Sequence, residues 1–386
     1  MIKNKSVYFY CLELGTSNKP AYQFQSISLA QGLKKLGFTI YSNTNYWRTS
    51  VDQEEYLFNH HSDVNSFDCD IIVVPCQWVI YGKKLPLNEL KQAKNSIKVM
   101  LDVCDGLFSP AFDEDCRIFD LILKQKTKGI QYPENCKYPW IFGLTEELIE
   151  ATAISPDFEN RKKSVAVNFR HKHSIRELSK KNIIEKIGSA FEIDDSYEKL
   201  DFSYNALNTK TFKDKQDLFF IQSGGRHYSK YLERLKNGMC CATFGGIFML
   251  GNHKENNKLY HTLANYFITG RAGGKISNSL SAMSLQIGHT YHLYQWDSWR
   301  FWESLGCACV TFHLDFDIYG VQLPVMPINW ENYIGFDLLK PKASIDRLMS
   351  LSVAELEQIG LNGKKWALEH YAPVPVAKTF LSYLEA

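Results

Sequence analysis

The sequence predicts an α/β protein built as two lobes in tandem, each a mostly parallel sheet covered by helices on both faces. Three observations carry this. In the first third of the chain, short apolar runs alternate with stretches of helical period, and strand–helix–strand crossovers imply parallel pairing. A polar stretch punctuated by Pro139, Gly143 and Pro156 then interrupts the pattern. Beyond it the alternation starts again. At 386 residues the chain is long enough for two cores. Two such sheets leave a ligand cleft between the carboxyl ends of their strands.

Taken in order, residues 7–12 read as the first strand, too short and too aromatic for a secretory leader. A loop with Glu13, Gly15 and Ser17 follows. Within 21–36, Ile27, Leu29, Ala30, Leu33 and Leu36 make one apolar helical face, which Gly37 closes. Strands are expected over 38–41, 70–74, 97–103 and 119–124, with a helix over 85–95. The second lobe opens with a strand over 164–169, ending at Arg170-His171-Lys172-His173, and a helix over 175–187. A strand over 217–221, the turn Gln222-Ser223-Gly224-Gly225-Arg226, a helix over 228–237 and a strand over 239–243 come next. Residues 245–288, rich in Gly, Asn and Ser, read as an active-site loop or an insertion. Residues 353–386 read as helical, broken at Pro373 and Pro375.

Composition narrows the class. A hydrophobic share of 45% and a charged share of 22% are ordinary for a globular protein. No run approaches the ~18–20 apolar residues of a membrane span, so no transmembrane segment is expected. A formal net charge of +2 does not advertise nucleic acid, and no nucleic-acid partner is expected. Aromatic residues make up 14%; their faces pack on sugar C–H groups, and they fill cores equally well. Cys11, Cys69, Cys76, Cys104, Cys240, Cys241 and Cys309 sit in or beside apolar runs, as small buried hydrophobes do. No Cys-x-x-Cys pair with histidine partners occurs, so no zinc site is expected. Reduced thiols point to a cytoplasmic protein.

The chemistry-bearing stretch is Gln295-Trp296-Asp297-Ser298-Trp299-Arg300-Phe301-Trp302-Glu303-Ser304-Leu305-Gly306-Cys307-Ala308-Cys309-Val310. Asp297 or Ser298 can cap a helix. Gly306 can end it in a left-handed conformation, and 307–312 reads as the next strand. Arg300 and Glu303, three apart, share a face. The free amides of a first helical turn attract an anion such as a diphosphate. A guanidinium nearby reinforces that site, and a carboxylate one turn on can accept from ribose hydroxyls. The spacing alone fits a surface ion pair on an amphipathic helix as well.

The run Ser298-x-Arg300-x-x-Glu303-x-Leu305-Gly306-Cys307-x-x-Val310, with Tyr319-Gly320 and Leu323-Pro324 after it, resembles the C-terminal domain of GT-B glycosyltransferases. It is most similar to the group-1 and exostosin-like versions, whose pattern is roughly S-x-R-x-x-E-A-L-A-x-G-x-x-P-V. Two departures stand out: Gly306 follows Leu305 with no spacer, and Cys309 stands where the family has proline. The resemblance implies two Rossmann-like domains of GT-B type with an interdomain cleft. The acceptor domain would span 1–158 and the nucleotide-sugar donor domain 159–369, with a C-terminal helix within 370–386 crossing back to the first. It implies a glycosyltransferase moving a sugar from a nucleotide-diphosphate sugar to a hydroxyl acceptor such as a glycan, lipid or protein. No cofactor beyond that donor and no protein-held metal is implied. Carried over, Glu303 holds the ribose, while Ser298 and Arg300 face the diphosphate; Asp297, just before them, is a further donor-binding candidate.

Other candidates stand beside these. Arg170 and Lys172 follow the first strand of the second lobe, where the resembling family has basic residues for donor phosphates. A solvated cluster with His171 and His173 is the alternative. Arg226 follows Gly224-Gly225 before a helix, where amides and a guanidinium can converge on a phosphate. Gln295 can bond a base or sugar, or cap the helix. On the acceptor side, Gly15 lets backbone approach a substrate. Glu13 or Asp105 can deprotonate an acceptor hydroxyl if the reaction inverts configuration, and each fits a loop acid facing water equally well. Asp102 and Asp105 would share Mg²⁺ only if the strand ended between them. His60-His61 reads as surface. Two other functions fit the same resemblance: an inactive glycan-binding or scaffold subunit, and a nucleotide-sugar epimerase.

Overall fold

The computed structural model describes residues 5–12, 22–80, 83–102, 110–128, 130, 132–169, 174–196, 211–250, 291–294 and 296–386. The first lobe contains β1 (Ser6–Phe9), α1 (Phe24–Lys35), β2 (Thr39–Ser42), β3 (Tyr46–Arg48) and β4 (Tyr56–His60). It continues through β5 (Ile71–Pro75), α2 (Cys76–Ile80), α3 (Leu87–Gln92), β6 (Ile97–Asp102) and β7 (Leu121–Lys124). The sheet runs β3-β4-β2-β1-β5-β6-β7 and is parallel except for the β3–β4 pair. Without β3 this is the doubly wound nucleotide-binding order, reversing between β1 and β5. Alternation along β1 divides its residues between two cores. Val7 and Phe9 join Ile27, Ala30 and Leu33 of α1, whereas Tyr8 joins Ile72, Met100 and Ile122, because successive strand side chains face opposite ways.

Between the lobes lie β8 (Lys126–Thr127) and α4 (Glu146–Ala151). The second lobe holds β9 (Lys162–Ala166), then α5 (Ser174–Ser179), which passes through one π-helical turn into α6 (Glu185–Ile187). Next come β10 (Glu192–Asp194), α7 (Lys215–Gln222), α8 (Ser229–Asn237), β11 (Gly238–Ala242), β12 (Ile247–Leu250) and β13 (Tyr291–Tyr294). The element carrying the motif is α9 (Trp299–Gly306), followed by β14 (Val310–Leu314), β15 (Val321–Gln322) and β16 (Ile334–Phe336). The helices α10 (Lys342–Ser350), α11 (Val353–Tyr371) and α12 (Pro373–Glu385) close the chain. The second sheet, β10-β9-β11-β14-β16, is parallel throughout and reverses between β9 and β11. Each sheet therefore has a switch point at its carboxyl edge, where ligand crevices form in doubly wound folds.

The lobes are stitched together at two further places. β8 pairs antiparallel with β15, Thr127 opposite Val321, and the Thr127 hydroxyl donates to the Leu293 carbonyl at 3.0 Å. After α11, Pro373 starts a new helix, and α12 crosses to lie on α1. The approach is close enough that a Cβ on Gly32 would meet the Pro373 carbonyl oxygen at 1.8 Å. Val376, Ala377 and Phe380 of α12 are buried, and Tyr383 stacks on Tyr138 at 4.2 Å. Among the described residues no helix is long and apolar enough to cross a membrane.

Several expectations change. Residues 217–221 are helical, within α7, not a strand. The run Leu218-Phe219-Phe220-Ile221 has no period of its own, and Asp214 starts the helix by accepting from the Asp217 amide at 2.8 Å. The linker contains α4, capped by Thr145, whose hydroxyl accepts from the Leu148 amide at 3.3 Å. β3 and β4 were not expected. Gly306 is the last helical residue of α9 and is not left-handed; Ala308 takes the left-handed turn instead, with φ +54°. The strand consequently begins at Val310, not at Cys307.

Candidate functional site

The motif helix α9 is held from behind by aromatic packing. Trp302 is buried, stacks on Trp366 of α11 and donates its indole N–H to Asp297 Oδ1 at 2.7 Å. Asp297 Oδ2 accepts the Phe142 amide of the linker at 2.6 Å. The Asp297 carboxylate is thus a clamp between linker and helix. Burial pushes its carboxyl up to about 7, against the pull of the N–H groups of Phe142, Trp302 and Ser298. Ser298 occupies the position before the helix in extended backbone, but its side chain caps nothing. Its buried Oγ finds no partner among the described residues.

One strand further on, His313 of β14 is fully buried and braces the same turn. Its Nε2 bonds the Trp296 carbonyl at 3.1 Å, and its Nδ1 accepts the Leu314 amide at 2.8 Å. Burial pulls its imidazole down to about 3. The two shifts have opposite consequences for stability. Between about pH 3 and 6.5 the unfolded chain holds a proton on His313 that the native state lacks, so this term weakens the fold as pH falls. Between about pH 4 and 7 the native state holds a proton on Asp297 that the unfolded chain lacks, so that term weakens it as pH rises. Each changes stability by about 1.4 kcal/mol per pH unit at full effect, and they offset one another where the windows overlap. Urea unfolding across this range should show stability gaining a positive pH slope in Asp297→Asn and a negative one in His313→Gln, relative to the wild type. Equal slopes in the two variants would refute the assignment.

The front of α9 faces the seam between the lobes. Arg300 donates from Nε to the Asn168 carbonyl, at the carboxyl end of the strand that begins as β9. Arg226 donates to the Ser223 carbonyl at 2.8 Å, and its guanidinium lies 4.7 Å from the Trp299 ring and 5.8 Å from that of Tyr22. Glu303 is only 3% exposed. Its Oε1 lies 2.5 Å from His227 Nδ1, and its Oε2 accepts the Tyr231 hydroxyl at 3.1 Å. His227 Nε2 in turn meets the Tyr22 hydroxyl at 3.0 Å. Burial drives the phenols of Tyr22 and Tyr231 well above their ordinary range, so both remain neutral donors at physiological pH.

The first lobe supplies Tyr22, Phe24 and Trp47 to this seam, the linker Phe142, and the second lobe Phe219, His227 and Trp299. Gln222 adds a polar tie, its amide exchanging hydrogen bonds with the Arg48 amide (2.5 Å) and carbonyl (3.0 Å).

Arg300 and Glu303 therefore share one short helix, with Ser298 just before it and Arg226 against its first turn, whereas the Asp297 carboxylate is turned to the Phe142 amide and the Trp302 indole. Glu13, Gly15, Asp105, Arg170, Lys172 and Gln295 lie outside the described residues, as do residues 251–288 of the Gly-rich segment. Asp102 is 0% exposed and paired with Lys124 at 3.4 Å, and it accepts the Ala111 amide at 3.2 Å. The sequence reading missed Tyr22, His227 and Tyr231. His227 stands next to Arg226, and Tyr231 lies one helical turn on, but nothing local points to Tyr22. A cavity of about 800 Å³ opens between α1, α4 and α7 and is lined by residues such as Gln31, Arg48, Glu147 and Phe219. No motif residue lines it, so the chemistry is assigned to the seam on its donor groups instead. Among the described residues no group of three His, Cys, Asp or Glu is placed to hold a metal ion.

No family model matches the chain, and no curated protein is significantly similar to it in sequence. Solved structures do match. An alpha-glucosyltransferase in complex with UDP-glucose and DNA containing an abasic site aligns over 99% of this chain and 99% of that one, with a TM-score of 0.51 at 12% identity. An alpha-glucosyltransferase in complex with UDP and a 13-mer DNA containing a central A:G mismatch aligns over 99% of both, with a TM-score of 0.47 at 12% identity. The chain has the GT-B fold, with its last helix crossing back to the first lobe. The expectation of no nucleic-acid partner does not stand, because the first of these structural neighbours is a complex with DNA. Net charge averages over the whole surface and cannot exclude a local interface.

Proposed function

We propose that the chain is a glycosyltransferase that moves a sugar from a nucleotide-diphosphate sugar to a hydroxyl acceptor. The observation that carries this is the start of α9, where a helix N-terminus, Ser298, Arg300 and Arg226 converge at the seam, with Glu303 one turn on. In such a transfer the departing nucleotide diphosphate gains charge as the glycosidic bond breaks. Oriented amides and guanidinium groups that meet the growing charge lower the barrier without reorganising.

In this assignment the first lobe, with α12, takes the acceptor (1–158 and 370–386), and the second (159–369) takes the donor. Glu303 accepts from the ribose hydroxyls. Two of roughly four carboxylate lone-pair sites are used by His227 and Tyr231, which leaves two for a diol. Packing of the two lobes on the donor excludes water and suppresses hydrolysis. The UDP-glucose and DNA in the neighbouring structure make a uridine diphosphate sugar and a nucleic-acid acceptor the first pair to test. The nine described cysteines are all buried, as small apolar side chains are, in keeping with a cytoplasmic location.

A panel of nucleoside diphosphates and their sugars should raise the unfolding temperature selectively, because a ligand at about 100 times its Kd adds about 2.7 kcal/mol to native-state stability. The stabilising donor should then label an acceptor from a panel of glycans and of DNA whose bases carry a hydroxyl. Absence of stabilisation by any member would remove the proposed activity. Binding without transfer or hydrolysis would favour the scaffold alternative.

A further inference from the structure

We propose that His227 is a positioning residue that fixes the angle of the Glu303 carboxylate and ties it, through Tyr22, to the first lobe. This rests on the ribose role given to Glu303 above. Both ring nitrogens are engaged. Nδ1 lies 2.5 Å from Glu303 Oε1, and an ionised carboxylate can only accept, so the nitrogen donates. Nε2 lies 3.0 Å from the hydroxyl of Tyr22, 205 residues away in sequence.

The ring is also held flat against Phe219, with centroids 5.0 Å apart and planes 4° from parallel. The backbone of His227 is left-handed, φ +48°, which is uncommon for a residue with a Cβ and persists only where the surroundings impose it. Three constraints on the ring and one on its backbone exceed what filling the seam requires. What they deliver is a carboxylate whose free lone pairs point in a set direction. A diol-binding acceptor needs that preorganisation. Because Tyr22 belongs to the first lobe, the orientation of Glu303 depends on the lobes being together.

Two substitutions separate the roles of the two nitrogens. Asparagine places an amide nitrogen where histidine has Nδ1 and tolerates a left-handed φ, whereas glutamine reaches only the Nε2 position. With UDP as the probe, or GDP if only that binds the wild type, His227→Asn should hold affinity within about threefold. His227→Gln should lose about tenfold or more, the range for one hydrogen bond to a charged group. Tyr22→Phe removes the same Nε2 bond that asparagine cannot make, so it should cost no more than about threefold in the wild type and have little further effect in either His227 variant.

A merely structural histidine would lower the melting temperature in both His227 variants and leave the affinity of the folded protein equal in the two. That result would overturn the positioning role while leaving nucleotide binding intact. A wild type that binds no nucleoside diphosphate would overturn both. Should His227→Gln fail to fold, Tyr231→Phe removes the other bond to Glu303 and should weaken binding by about tenfold; unchanged affinity would overturn the proposal.

Discussion

An Arg300→Ala variant is expected to transfer sugar about a hundredfold more slowly than the wild type, the loss typical when one preorganised donor to a developing negative charge is removed. Arg300 sits in the first turn of α9, where the helix dipole already favours an anion. Its Nε is anchored on the Asn168 carbonyl, which among the described residues leaves the remaining N–H groups of the fork for a ligand. The interaction strengthens as the diphosphate leaves, so the loss belongs in turnover more than in affinity for UDP. Arg300→Lys keeps the charge without the anchored fork and should recover only part of the rate. Single-turnover transfer measured beside UDP titration tests this. A variant as fast as the wild type would remove Arg300 from the transition state, and an equal loss in affinity and rate would make it a plain binding residue.

A Gly32→Ala variant should loosen the docking of α12 on α1. The added Cβ would lie 1.8 Å from the Pro373 carbonyl oxygen and 2.8 Å from the Ala377 Cβ, closer than any real contact. Neither neighbour is the tip of a flexible side chain, so one helix must move. Overpacking of this kind costs about 1–3 kcal/mol, and more where backbone is struck. Amide hydrogen exchange should therefore speed up by roughly tenfold to a hundredfold or more in residues 24–35 and 373–385, and remain near wild type in β11 and β14. Unchanged protection in α12 would show that the crossing helix is not held by this contact.

Most of the parallel strands were legible because each is a short apolar run bounded by polar residues, as Ile71-Ile72-Val73-Val74 shows. β3 and β4 were not, since Tyr46-Trp47-Arg48 and Tyr56 to His60 lie in polar stretches of sequence, and only the fold pairs β4 with β2 and β3 with β4. The helix α7 was misread because four adjacent apolar residues carry no period, and only the Asp214 cap distinguishes helix from strand. At the site, the grouping of Ser298, Arg300 and Glu303 is local and follows from the pitch of one helix. The contacts that hold Glu303 are not local. His227 lies 76 residues from it, and Tyr22 lies 205 from His227, so their meeting is a product of the tertiary fold. The charge argument failed for another reason, since a near-zero sum is silent about where the charges lie.

The docking of α12 on α1 also has a consequence for biosynthesis. Pro373 is made 338 residues after Lys35 (373 − 35), so a ribosome adding ~5–20 residues per second needs tens of seconds to supply the partner of a helix already emerged. Throughout that interval the surface around Gly32 lacks its native cover. The nascent amino-terminal half is a ready client for a chaperone until the crossing helix arrives.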